Sequence, residues 1–510
     1  MLEKWAILEN EDLKIHAILL IAFMLGLLLR LAILSKYGFS EDEILKILAV
    51  QGYMNLDFSK NPAHPSLMKL AITLSILVLG ESEFAARLPN AFIGALTVYP
   101  LYFLGKKLYN SKTGLFASFF WAVNIPVISF QTTAKEDAFL AFFWTLAVYF
   151  YIRATENPDF FRYCGICVGL AFASKFAAFL LVILLLILYF YHRYEGKQLP
   201  SIKETALLSV PFGILAFLVA SFPLFLLSTL IEWIAWYSPK TPSHTGYFMM
   251  GQMHSIRPPY YLLLHILVKN PISFLLLLLI GISFALKDHS GSDKILLIWA
   301  AFILAFFSIS TYGYVRYYLV VLPALMLLAA QGTCRTSQWI YIQIKKFRPN
   351  LSLSVPRHIS TMIIVIICLH SLIVGLIVTP YYRMYVNELG GGLDKAGYYF
   401  PGDSVYDYLY REAIFYLNEE ANQNAVIATM VPPVGEYYGR SDLKFLLLRN
   451  LPADFNDWDE FNVSYAIIQE SRTYYENEQH IDNIIENLPV EAIFVIFETE
   501  VVTIHRLEPN

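Results

Sequence analysis

Twelve apolar runs follow one another through the first 380 residues, so this chain must place most of its length in a bilayer. They are 15–34, 66–80, 88–105, 114–130, 138–152, 163–174, 176–191, 205–227, 262–286, 295–310, 317–331 and 359–379. Hydrophobic residues make up 57% of the chain and charged residues only 15%, where a soluble domain carries about 25% charge. A polytopic α-helical membrane protein is the class that fits. The first run is long and has no small-residue cleavage site, so it reads as a retained span rather than a signal peptide.

One run does not read as a span. Segment 66–80 has 15 residues, contains Lys69 and runs into Glu81 and Glu83. At about 1.5 Å per residue it is too short to cross a bilayer comfortably. Read as an interfacial helix, it leaves eleven spans. With the N-terminus inside, the inward loops then hold fifteen Lys and Arg residues, from Lys106 to Arg357. The short outward connections hold three: Lys135, Lys175 and Arg316. That bias is the one that orients membrane helices, and counting 66–80 as a span would reverse it. The reading is a cell-membrane protein with a cytoplasmic N-terminus and three outward segments: the loop 35–87, the loop 228–261 and the tail.

The tail differs in charge. Residues 1–380 hold 29 Lys and Arg against 19 Asp and Glu, while residues 381–510 hold 8 against 22. Two regions facing different surroundings follow, a transmembrane domain at 1–380 and an extracytoplasmic domain at 381–510. The tail mixes a helical stretch (DSVYDYLYREAIFYLNEEA) with β-like runs (AVIATM, KFLLL, YAIIQ, AIFVIFETEVVTIHRL), which predicts a small α/β domain. It carries no phosphate loop and no metal signature, and nothing points to nucleic acid. Asn462-Val463-Ser464 is a glycosylation sequon that chance equally supplies. Cys164 and Cys167 have CxxC spacing but open an apolar helix without a second ligand pair, and read as core residues.

Charges that should be rare on the outward side gather there. Ser40-Glu41-Asp42-Glu43 follows the first span, Lys135 adjoins Glu136-Asp137, Lys175 separates two apolar helices, and Arg316 opens a late one. Any single cation can snorkel to the headgroups, and acids at an interface are commonly just solvated. Together they predict one site. Cations in a low-dielectric pocket hold a phosphate, and a carboxylate can take a proton from an attacking hydroxyl. A lipid phosphate is a competent leaving group once a cation neutralises it. The chemistry that fits is inverting glycosyl transfer from a polyprenyl-phosphate sugar to an acceptor at the membrane surface.

Several stretches carry a more specific likeness. Asp42-Glu43, His64-Pro65-Ser66-Leu67-Met68-Lys69, Gly80-Glu81-Ser82-Glu83-Phe84 with Arg87-Leu88-Pro89, Lys135-Glu136-Asp137, Gly169 to Lys175, Pro258-Pro259-Tyr260-Tyr261, and Arg316-Tyr317 with Pro323 occur in that order. In these the chain resembles the dolichyl-phosphate-mannose protein mannosyltransferase superfamily, including its aminoarabinose transferase relatives, over roughly residues 15–335. The resemblance implies the GT-C membrane fold. It implies Asp42 as catalytic base and Glu43 orienting the acceptor or the sugar. Asp137 would help shape the site with Lys135 beside it, and Lys175 and Arg316, next to Tyr317, would bind the donor phosphate. His64 would contact substrate or cap the interfacial helix, and Arg87 would meet the lipid phosphate or anchor at the headgroups.

Three departures matter. Ser66 replaces the second proline of a His-Pro-Pro motif, and Gln131-Thr132-Thr133-Ala134 stands where an arginine is expected before the acid of the second outer loop. The loop 228–261 has no room for a β-trefoil insert, which leaves protein and glycolipid both open as acceptor. A divalent cation beside the acids stays open too. The competing classes are a transporter or lipid flippase and an inactive assembly factor. One-sided charges and the lack of an inverted repeat speak against transport.

Overall fold

The computed structural model describes residues 2–237, 247–310, 315–350, 352, 354–452, 458, 460–472 and 478–507. Among these, seven helical stretches are long and apolar enough to cross a membrane, and the pair Ser111–Val123 and Ile125–Gln131, bent by 60°, makes an eighth. Of the eleven expected spans, eight are met on length and composition by these. The shortfall lies at Phe160–Ser174, Ile272–Asp288 and Leu322–Phe347. The first two are 15 and 17 residues long, and the third carries Arg335, Lys345 and Lys346 in its C-terminal half. Each lies against other helices. Packing against protein rather than lipid relaxes the demand for a full-length apolar surface. Close approach makes this possible: a Cβ on Gly281 would run into the Leu328 carbonyl of the neighbouring helix.

Segment 66–80 forms the 13-residue helix Leu67–Leu79, too short by itself to span. The run 262–286 is broken at Asn270-Pro271 into Tyr261–Lys269 and Ile272–Asp288, because proline cannot donate within a helix interior. Cys164 and Cys167 are buried and unbridged, as core residues would be.

A two-stranded hairpin, β1 (Tyr247–Met249) and β2 (Gln252–His254), precedes the last membrane helices. After Val378 the chain builds a five-stranded mixed sheet from β3 (Val426–Thr429), β4 (Lys444–Leu447), β5 (Val463–Gln469), β6 (Val490–Ile496) and β7 (Thr499–Arg506). Its order is β4-β3-β5-β7-β6, with β3 parallel to both its neighbours and β7 antiparallel to both of its own. The predicted helix over 403–421 is shorter than expected. It runs only from Tyr410 to Glu420, because Tyr406 and Leu409 take left-handed backbone conformations, at φ +47° and +59°. The tail does not have a core to itself. Phe39, Ile44, Ile47 and Met68 from the first loop pack in the same apolar cluster as Ile414, Val434 and Ile467.

Candidate active site

Ser40 opens the helix Glu41–Met54, and its N–H and hydroxyl both donate to the Glu43 carboxylate at 3.0 Å. Three acids in a row are tolerated here because the first turn of a helix favours negative charge. The helical period then sets Asp42, Glu43 and Lys46 toward the turn 132–137 that precedes the helix Asp137–Ala154. That turn is held by Asn90, whose amide donates to the carbonyls of Thr133 and Lys135 at 2.6 and 2.5 Å.

A chain of alternating charges results. Lys135 Nζ donates to Asp42 Oδ2 at 2.6 Å. Arg316 lies between two carboxylates, its Nη2 3.7 Å from Asp42 Oδ2 and its Nε 3.5 Å from Asp137 Oδ2. Lys175 Nζ donates to Asp137 Oδ1 at 2.7 Å and sits 4.0 Å from the centre of the Tyr317 ring. Five of the charged groups expected at the site therefore lie together, with Tyr317 against them. Asp42 is the open member, its side chain 39% exposed against 2% for Lys135 and 3% for Asp137. Burial alone would raise the Asp42 pKa, but Lys135, Arg316 and Lys46 outweigh it and hold the carboxylate well below its usual range.

Glu136 faces away from this chain toward Lys46 Nζ at 3.2 Å and His64 Nδ1 at 3.9 Å. The His64 side chain is 38% exposed. Its carbonyl and that of Asn61 accept from buried Lys69, at 3.1 and 2.6 Å.

Glu43 and Arg87 form a buried pair beneath the charge chain. Arg87 grips Glu43 with two nitrogens at 2.8 and 3.0 Å, and both side chains are fully buried. Arg87 also donates to the carbonyls of Leu34, Tyr37 and Gly38, and Glu43 accepts from the Ala134 N–H at 2.8 Å. Both side chains are sealed off from the surface. The pair binds the end of the first membrane helix to the 132–137 turn, which sets Asp42 against Lys135.

The tail supplies residues that sequence reasoning missed. Tyr406 accepts from Lys135 Nζ at 2.6 Å, with the ammonium also 4.2 Å from its ring centre. Asp407 accepts from the Glu41 N–H at 2.8 Å and from Arg472, which also pairs with Glu41 at 2.6 Å. Arg383 donates to Thr133 Oγ1 at 2.9 Å and so brings a guanidinium to the turn that lacks an arginine of its own. The strained backbone at Tyr406 was the missing signal, and no residue pattern announces it.

A divalent cation does not fit these residues. Asp42, Glu43, Glu136 and Asp137 each face a lysine or arginine, and no three His, Cys, Asp or Glu side chains among the described residues have the spacing to hold a metal.

Residues 63–225 match the family described as dolichyl-phosphate-mannose-protein mannosyltransferase. That stretch includes His64, Arg87, Lys135, Asp137 and Lys175, while Asp42 and Arg316 lie outside it. No curated protein matches the sequence. The chain is similar to the solved structure of ArnT from Cupriavidus metallidurans bound to undecaprenyl phosphate, at 14% identity and a TM-score of 0.52, over 95% of this chain and 97% of that one. It is similar also to the Archaeoglobus fulgidus oligosaccharyltransferase tethered with an acceptor peptide, at 13% identity and a TM-score of 0.55, over 96% of this chain and 74% of that one. A third likeness is to the arabinofuranosyltransferase AftD from Mycobacteria, at 12% identity and a TM-score of 0.50, over 96% of this chain and 40% of that one. At such identities the shared property is the fold alone.

Proposed function

We propose that this chain, a membrane protein of the GT-C glycosyltransferase fold whose residues 63–225 match the dolichyl-phosphate-mannose-protein mannosyltransferase family, moves one sugar from a polyprenyl phosphate to a hydroxyl at the membrane surface. The observation that carries this reading is the alternation Lys135, Asp42, Arg316, Asp137, Lys175 within direct ion-pair distances. Undecaprenyl phosphate and dolichol-phosphate occur in solved structures of the same fold, which supports a lipid phosphate as donor.

Lys175 and Arg316 take the donor phosphate, and Tyr317 backs the lysine. The acceptor hydroxyl oxygen attacks the anomeric carbon as the bond from that carbon to the phosphate oxygen breaks. Polyprenyl phosphate leaves as the anion, neutralised by the two cations. The hydroxyl proton passes to Asp42, and the single displacement inverts the anomeric centre. With Lys135 and Arg316 beside it Asp42 is ionised but weakly basic. A donor phosphate drawing Arg316 toward itself relieves that, so the base strengthens when substrate arrives. Glu43 and Arg87 act as positioning residues beneath it. We place the site on the outward side of the membrane, following the lysine and arginine bias. Among acceptors, a protein or a glycolipid hydroxyl meets the same chemistry.

Asp42→Asn tests the reading. It keeps the shape and the hydrogen-bonding oxygen but cannot accept a proton. Sugar transfer in membranes should fall by at least about a hundredfold, the usual scale of a lost general base, while binding of a polyprenyl-phosphate sugar persists. Turnover at the wild-type rate would remove Asp42 from the base role. Mass spectrometry of glycoproteins and glycolipids from cells with and without the protein would identify the acceptor.

A further inference from the structure

The helices Asp12–Leu31, Ser111–Val123 and Val355–Val378 enclose a groove of about 520 Å³. The first and last of these pack on the middle one, and the groove runs between them. Its walls are apolar, with Leu25, Phe119 and Leu372 at one end. Lys112 and Arg357 stand at the other, in the opening turns of their helices, with Ser111 and Thr361 beside them. All three helices lead from this end toward the charge chain, so the two cations lie at the opposite end of the bundle from Asp42. Lys112 is close enough to feel the charge of Arg357. Among the described side chains, which begin at Asp12, no carboxylate lies within ion-pair distance of either.

Two like charges at the mouth of an apolar groove repel each other unless an anion joins them. In a bilayer the groove itself must be filled by hydrocarbon. From Arg357 to Leu372 is fifteen helical residues, a rise of about 22 Å, which matches one acyl chain and falls far short of a polyprenyl tail. We propose that this groove binds one anionic phospholipid of the bilayer, its phosphate between Lys112 and Arg357 and one of its acyl chains between the first and last membrane helices. Basic pockets between membrane helices recognise such headgroups by charge and hydrogen bonding together. The lipid would join two helices that barely meet directly, at a place remote from sugar transfer.

Native mass spectrometry of the full-length protein, titrated with phosphatidylglycerol and with phosphatidylcholine of the same chains, tests this. The first phosphatidylglycerol should bind roughly tenfold or more tightly than phosphatidylcholine, the scale that two surface cations supply. Lys112→Gln with Arg357→Gln should bring the two lipids level, and Lys112→Arg with Arg357→Lys should keep the preference. If the glutamine variant fails to fold, raised salt should erode the wild-type preference by screening. Equal affinity for both lipids in the wild type overturns the proposal, as does a preference that survives the glutamine substitutions or raised salt. Displacement of phosphatidylglycerol by polyprenyl phosphate at lower concentration, or a dimer whose formation excludes the lipid, would assign the groove to a different occupant and overturn it too.

Discussion

The Tyr406 hydroxyl lies 2.6 Å from the Lys135 ammonium, which lies 2.6 Å from the Asp42 carboxylate. A residue of the C-terminal region thereby completes a charge network otherwise built by membrane helices and their loops. Tyr406 holds φ at +47°, a conformation that is costly for an aromatic residue. The adjacent Asp407 fixes it in place through the Glu41 N–H and Arg472.

Tyr406→Phe should therefore impair transfer while leaving the fold intact. The substitution keeps the ring against Lys135 and removes only the oxygen that accepts from it. A hydrogen bond to a charged group is worth about 1.5–3 kcal/mol. Lys135 without that tether would be held only by its ion pair with Asp42, and kcat should fall by roughly tenfold to a hundredfold. An unchanged kcat in steady-state assays would show that the tail does not act on Asp42 through this contact.

The buried pair Glu43 and Arg87 should make stability acid-sensitive. Burial raises the Glu43 pKa, but Arg87 and the N–H donors of Ser40 and Ala134 outweigh it and bring it from 4.5 to about 2. Between those values the folded protein holds fewer protons on Glu43 than the unfolded chain does. The stabilisation is thus fully present above pH 4.5 and is lost as pH falls toward 2, a change on the order of 3 kcal/mol. Glu43→Gln should lower Tm markedly at neutral pH, since it leaves Arg87 buried without its counter-charge, and much less at pH 3. Asp42 and Glu136 are also held low, so the measurement that counts is the wild-type minus variant difference in Tm. A difference that does not change with pH would contradict the assignment.

Much of the site was legible because membrane topology makes certain charges improbable. Lys135, Lys175 and Arg316 stood out as exceptions to the lysine and arginine bias, and the structure brings all three to Asp42 and Asp137. Roles inside the cluster were less legible. Glu43 and Asp42 are neighbours in sequence, yet one turn of helix seals the first under Arg87 and leaves the second open. Tyr406 was hidden in a stretch that reads as continuous helix, because a left-handed residue leaves no trace in apolar periodicity. Three of the expected spans are shorter or more polar than a lone bilayer helix, because apolar runs report burial, and burial against protein looks the same as burial in lipid.

His64 should contribute no pH dependence to transfer near neutrality. Glu136 pulls its pKa up, but burial together with Lys46, Lys175 and Lys69 pushes it down harder, from 6.5 to about 4. Histidine usually titrates between about pH 5 and 8, whereas this one stays neutral there. His64→Gln should leave the shape of the pH–rate profile unchanged over that range, even where the rate itself drops. An inflection near pH 6.5 that disappears in the variant would show that His64 ionises in the working enzyme.

Arg316 should resist even the conservative change to lysine. Its Nη2 faces Asp42 and its Nε faces Asp137, a span that a planar guanidinium covers and a single ammonium does not. Arg316→Lys keeps the charge but must abandon one carboxylate. A donor phosphate would then meet one point charge in place of a fork. The KM for a polyprenyl-phosphate sugar should rise by roughly tenfold, and kcat should fall because Asp42 is no longer coupled to donor arrival. Asp137→Asn releases the other end of the fork. The double variant Arg316→Lys with Asp137→Asn should therefore lose less than the sum of the single variants, with a coupling of about 0.5–3 kcal/mol. Strictly additive losses, or a donor KM untouched in Arg316→Lys, would separate Arg316 from phosphate binding and leave it as a tie between two acids.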